Sequence, residues 1–97
     1  MIRELDDLIA FHRIVEHGSL SGAARELRIS LAVVSRRLAR LERDLGAQLL
    51  LRTTRGAALT DLGMTFREHA VRVVAELDAA RDAVSTDGAL RGTLRVA

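Results

Sequence analysis

No cysteine occurs in the 97 residues of this chain. That excludes a disulfide and a thiolate metal site, and it is compatible with a reducing cytoplasm. Aromatic residues are almost missing too, with Phe11 and Phe66 the only two. Their scarcity argues against RNA or single-strand binding by base stacking, which needs aromatic platforms. No run of roughly 20 apolar residues is present and nothing resembles a signal peptide, so a soluble, cytoplasmic protein without a membrane partner is expected. Lysine is absent as well: all fifteen basic residues are arginine. The three histidines, His12, His17 and His69, lie on separate segments without metal-ligand spacing. No serine has a convincing base partner, so neither an enzyme nor a bound cofactor is expected.

What is present is 48% hydrophobic, mostly Leu, Ala, Val and Ile. A mainly α-helical single domain with a modest core follows from that length and composition. The net charge of +2 is unevenly spread. Between Arg28 and Arg55 seven arginines face two acids, an excess of five positive charges, so the flanks are acidic. A basic middle between acidic flanks points to a local polyanion-binding surface.

The segment Ser30 to Gly46 organises the chain. Ser30 is suited to accept a hydrogen bond from a free N–H of the first helical turn, and Gly46 to close the helix in the left-handed conformation. Between them Leu31, Val34, Leu38, Leu41 and Leu45 recur at steps of three and four, one apolar stripe. The other side carries Arg36, Arg40 and Arg43, with small Ala32 and Ser35 near the start. A row of arginines is usually no more than a solvated face. Here the small residues permit close approach to another surface, and the preceding segment completes a motif. Leu31 sits at the margin of the stripe, and the pattern leaves it facing either the core or a ligand.

Upstream, Glu4 to His17 reads as a helix with Leu5, Leu8, Phe11, Ile14 and Val15 inward and acids in its first turn. Ser19 then caps a short helix from Leu20 to about Arg28, in which Ala23 and Ala24 allow a second helix to cross closely. Short helix, three-residue turn and capped second helix make a helix-turn-helix, whose second helix is expected in the major groove. Downstream, Ala47–Arg52 reads as a strand, Thr53–Gly56 as a turn and Ala57–Leu59 as a return strand. Arginine at the base and tip of this hairpin suits a wing gripping the sugar-phosphate backbone. Thr60 caps a long helix from Asp61 to about Thr86, with the stripe Leu62, Phe66, Ala70, Val73, Leu77, Ala80 and Val84. At 1.5 Å per residue, roughly 26 residues span about 40 Å, more than the small domain can cover. The far half needs another surface, with a second copy the simplest and a further domain the rival. After Asp87-Gly88, residues Ala89 to Ala97 alternate like the first strand of something new.

These residues together resemble the N-terminal domain of LysR-type transcriptional regulators. The resemblance rests on Leu5, Leu8 and Phe11, on Ser19, Ala23-Ala24, Leu27 and Ser30, and on Ser35-Arg36, Leu41-Glu42 and Leu45-Gly46. It continues through Arg52-Thr53, Leu59-Thr60 and Gly63, nearly the whole chain in order. It implies a winged helix-turn-helix of three helices and a two-stranded wing over residues 1–60. A linker helix for homodimerisation then covers 61–87, and the start of a truncated effector-binding domain covers 88–97. It places Ser30, Leu31, Ala32, Val33, Ser35 and Arg36 at double-stranded DNA, with Arg52, Thr53 and Arg55 from the wing. Arg40 is expected to hold the DNA backbone. An effector molecule would bind only in the missing part. The family commonly has glutamine and proline where this chain has Leu31 and Ala32, and an aromatic residue where it has Leu50. The rival reading from the residues alone is a helical dimerisation or adaptor module that binds protein.

Overall fold

The computed structural model describes residues 4–85. The expected tail from Gly88 therefore lies outside the described residues. Four helices and one hairpin follow in the order α1 (Leu5–His17), α2 (Leu20–Leu27), α3 (Leu31–Leu45), β1 (Leu50–Thr53), β2 (Gly56–Leu59) and α4 (Asp61–Val84). The architecture is mainly α, with the two strands pairing antiparallel, Leu50 opposite Leu59 and Thr53 opposite Gly56.

Local chemistry explains most boundaries. The hydroxyl oxygens of Ser19, Ser30 and Thr60 each accept from the backbone N–H three residues on, opening α2, α3 and α4. The strand begins at Leu50 rather than Ala47, because Ala47 N–H still donates to the Glu42 carbonyl and completes the end of α3.

Helices α1, α2 and α3 share one core in which Phe11, Ile14, Val34, Leu41 and Leu49 are fully buried. Helix α4 lies across α1. There Phe66 meets Phe11 edge to face, with ring centroids 5.4 Å apart. Ala70 and Val74 are buried beside them. The stripe expected to serve dimerisation is thus divided. Phe66 and Ala70 belong to the chain's own core, while Leu62, Val73, Ala80 and Val84 are exposed and Leu77 is half-buried. From Asp78 to Ser85 every residue is exposed, so the far end of α4 does run past the domain. At the helix starts one expectation fails, and one residue with two open placements turns out to lie outside the core. Leu5, the first residue of α1, is 44% exposed and borders an open groove with Val73, Leu77 and Ala80 of α4. Leu31 is 50% exposed, so the inward stripe of α3 begins one turn later, at Val34.

Two close backbone approaches hold the hairpin. Ala57 N–H donates to the Gly18 carbonyl at the end of α1, and a Cβ at Gly56 would collide with that carbonyl oxygen. Gly63, in the first turn of α4, sits against the Leu49 carbonyl, where a Cβ would again collide. Thr60 reinforces this junction: its N–H donates to Leu49 O at 3.0 Å and its hydroxyl to Gln48 O at 2.6 Å.

Candidate nucleic-acid interface

The turn between α2 and α3 is three residues, Arg28 to Ser30. Arg28 takes the left-handed conformation at φ 58°, the only non-glycine among the described residues to do so. This reverses the chain tightly enough for Ile29 N–H to donate back to the Ala24 carbonyl at 3.1 Å. Ser30 then caps α3 by accepting from Val33 N–H at 3.1 Å. The first turn of α3 emerges with Leu31 and Ala32 exposed and Val33 half-buried, and it contains no acidic residue. Arg36 is exposed one turn further along. Unsatisfied N–H groups, the positive end of the helix dipole and a guanidinium all point out of one surface.

The hairpin is fastened beside that surface. Arg52 Nη2 donates to Ser35 Oγ at 2.6 Å, joining the first wing strand to α3. The carboxylate of Glu42 accepts from both Leu49 N–H, at 2.7 Å, and Leu50 N–H, at 3.2 Å. Thr54 and Arg55 form the two-residue tip, and Thr53 Oγ1 accepts from Arg55 N–H at 3.2 Å. Among the described residues, neither Arg36 nor Arg55 has an ion-pair partner.

Arg40 is placed differently from expectation. Its Nε and Nη2 donate to both oxygens of Asp7, at 2.6 and 2.7 Å, and Asp7 is fully buried in α1. Those hydrogen bonds raise the Arg40 guanidinium above its usual pKa and keep it charged. Arg40 therefore clamps α3 to α1, with its two bonding nitrogens already committed. The structure brings together Ser30, Leu31, Ala32, Val33, Ser35 and Arg36 on the start of α3. It joins Arg52 to them through Ser35, sets Thr53 and Arg55 on the adjacent hairpin, and leaves Arg40 with Asp7.

Gly56, suited by its freedom at positive φ to the hairpin turn, also allows the close approach to Gly18. Asp7, Glu42 and Gly63 have positioning roles that the sequence reading did not assign. A signal for two of them was present. Asp7 shares a helical row with Phe11 and Ile14, and Glu42 one with Leu38 and Leu45, so each carboxylate stands on a core-facing stripe where it needs a donor. Outside the interface, Arg13 and His17 of α1 meet Glu26 of α2 at 2.7 and 3.0 Å, and Arg13 also pairs with Glu16. No group of described residues could hold a metal ion, and no described helix is long and apolar enough to cross a membrane.

Comparison with known proteins follows the same lines. The profile of the bacterial regulatory helix-turn-helix protein, lysR family, matches residues 5–64. An HTH-type transcriptional regulator of Xanthomonas campestris pv. campestris (strain 8004) is 42% identical over 96 residues, covering 98% of this chain and 28% of that protein. The chain thus spans under a third of that relative's length. Among solved structures, a CbnR_DBD–DNA complex superposes with a TM-score of 0.75 at 35% identity, covering 82% of this chain and 92% of that one. A BenM_DBD/catB site 1 DNA complex gives 0.76 at 31% identity, covering 97% of this chain and 96% of that one. The match over residues 5–64, which spans the helix-turn-helix and its two-stranded wing, makes this chain a member of the lysR family of bacterial regulatory helix-turn-helix proteins.

Proposed function

We propose that this chain is the DNA-binding portion of a cytoplasmic transcriptional regulator that binds double-stranded DNA sequence-specifically as a homodimer. Residues 1–60 form the reading unit, 61–87 the linker helix and 88–97 the start of an effector-binding domain. In this reading two copies of α3 enter successive major grooves of an imperfect palindrome. The exposed, acid-free first turn of α3 carries the reading, with two unpaired arginines beside it. Ser30, Ser35 and the helix start hold phosphate, while Ala32 and Val33 permit close approach to the bases. Arg36 contacts a base edge, with guanine the matching partner. Arg52, Thr53 and Arg55 hold the backbone beside the groove. Leu62, Val73, Leu77, Ala80 and Val84 of α4 meet the second copy. Relatives that are regulators and neighbours crystallised as DNA complexes support the reading, and no catalytic role is assigned to the chain.

Titrations on matched and mismatched duplexes at several salt concentrations test it. Arg36→Ala is expected to cost about 1–3 kcal/mol and relax preference at one base pair. Arg55→Ala is expected to weaken all sequences alike and lower the salt slope by roughly one unit. Equal losses on every sequence for Arg36→Ala would remove its assigned role. A protein-binding adaptor is the second reading, favoured by the open apolar groove of Leu5, Val73, Leu77 and Ala80. Retained self-association without any duplex binding would select it.

A further inference from the structure

We propose that Leu31 is a specificity-determining residue that reads the C5 methyl group of a thymine in each half-site. The proposal rests on the DNA-binding reading above and names the base feature that the first turn of α3 recognises. Large exposed apolar side chains are scattered over most proteins and are individually unremarkable. Leu31 is set apart by its place. The other large exposed hydrophobics lie on α1, the hairpin or α4, whereas Leu31 is the only one on α2 or α3. It is the first residue of α3, the end that a helix-turn-helix presents to base edges.

Its neighbours narrow the chemistry further. Ser30 Oγ is engaged by Val33 N–H, Ala32 is exposed and small, and no acid stands in the turn. Ser35, one turn along the same helical row, holds the Arg52 guanidinium. The wing cation Arg52 is thus fastened to the residue one helical turn beyond Leu31, suited to a phosphate of the same site. The leucine side chain has no donor or acceptor of its own. Of the features displayed in the major groove, only the thymine methyl offers an apolar partner. A donor-bearing or acceptor-bearing base edge held against Leu31 would lose its water without replacement.

The test starts from a duplex selected by the protein from a random pool. Each thymine is then replaced by deoxyuridine, which removes the methyl group and leaves every hydrogen-bonding group in place. Burial of one methyl group corresponds to about a four-fold change in affinity. We expect one position per half-site to lose about that factor, and Leu31→Ala to bind thymine and uracil duplexes equally. Leu31→Gln, at the same exposed position, is expected to move the preference there from thymine to adenine. Wild-type binding that is indifferent to every uracil replacement would overturn the proposal while leaving the DNA-binding reading intact. Methyl sensitivity persisting in Leu31→Ala would also overturn it, by giving the contact to another residue. Absence of salt-dependent duplex binding in the wild type would sink the underlying reading itself.

Discussion

The junction between hairpin and α4 yields a prediction opposite in sign to helix propensity. Gly63 lies inside a helix, where alanine is ordinarily preferred by up to about 1 kcal/mol. Yet a Cβ there would strike the Leu49 carbonyl oxygen, with the carbonyl carbon at 2.9 Å and Leu59 Cδ2 at 3.1 Å. The obstacle is backbone, so it cannot swing aside. Helix α4 must back away by about 1.3–1.6 Å before an ordinary carbon–oxygen contact of about 3.3–3.6 Å is restored. That displacement stretches both Thr60 hydrogen bonds, at 3.0 and 2.6 Å, out of range. At about 0.5–1.5 kcal/mol each, their loss amounts to about 1–3 kcal/mol. Loosening the Phe11–Phe66 edge contact adds about 0.5–1.5 kcal/mol. After the propensity gain is subtracted, Gly63→Ala should destabilise the domain by about 0.5–3.5 kcal/mol. Urea unfolding followed by far-ultraviolet ellipticity, at one fixed protein concentration, measures this. Met64→Ala is the control: its side chain is 58% exposed in the same turn, and its effect should stay within about 0.5 kcal/mol. A Gly63→Ala midpoint equal to or above wild type would refute the reasoning.

Other outcomes follow from single contacts. Arg40→Ala should lower the melting temperature, because it strips the buried Asp7 carboxylate of two donors, and leave the salt slope of duplex binding unchanged. A slope reduced by one unit would instead make Arg40 a phosphate contact. Arg28→Gly should raise stability by about 0–1.5 kcal/mol in urea unfolding. Relief of left-handed strain, about 1–2 kcal/mol, exceeds the extra freedom of glycine in the unfolded chain, about 0.5–1 kcal/mol. The Glu16 carboxyl lies below its ordinary value of 4.5, chiefly because Arg13 donates a hydrogen bond to it. A lowered folded-state value stabilises above the unfolded value and is lost as pH falls through the folded one. Glu16→Gln should therefore flatten the acid limb of a stability–pH profile slightly below pH 4.5, the pair being half exposed.

The helix-turn-helix was legible because its signals are local. Ser19, Ser30 and Thr60 cap their own helices within three residues, and Gly46 closes α3 on its own backbone. What escaped depends on distant parts of the chain. Arg40 reads like Arg36 in a helical projection, and only Asp7, thirty-three residues away, turns it inward. Leu31 continues the leucine spacing of α3, so the sequence left it open between core and ligand; the core stops at Val34 and leaves it outside. On α4 one stripe was read for the second copy, but packing against α1 takes Phe66 and Ala70 out of it and buries Val74. A single sequence stripe was serving two surfaces, and periodicity carries no label saying which.

The Asp7–Arg40 clamp has a consequence for which side chains of α3 can be exchanged. Together with Val34, Leu38, Leu41 and Glu42 it fixes α3 by its middle and rear, so Leu31, Ala32 and Arg36 are free of any structural duty. Under the proposed DNA-binding reading, those few side chains can be exchanged without disturbing the scaffold. Ser35 stands outside that freedom, since altering it would also release the wing.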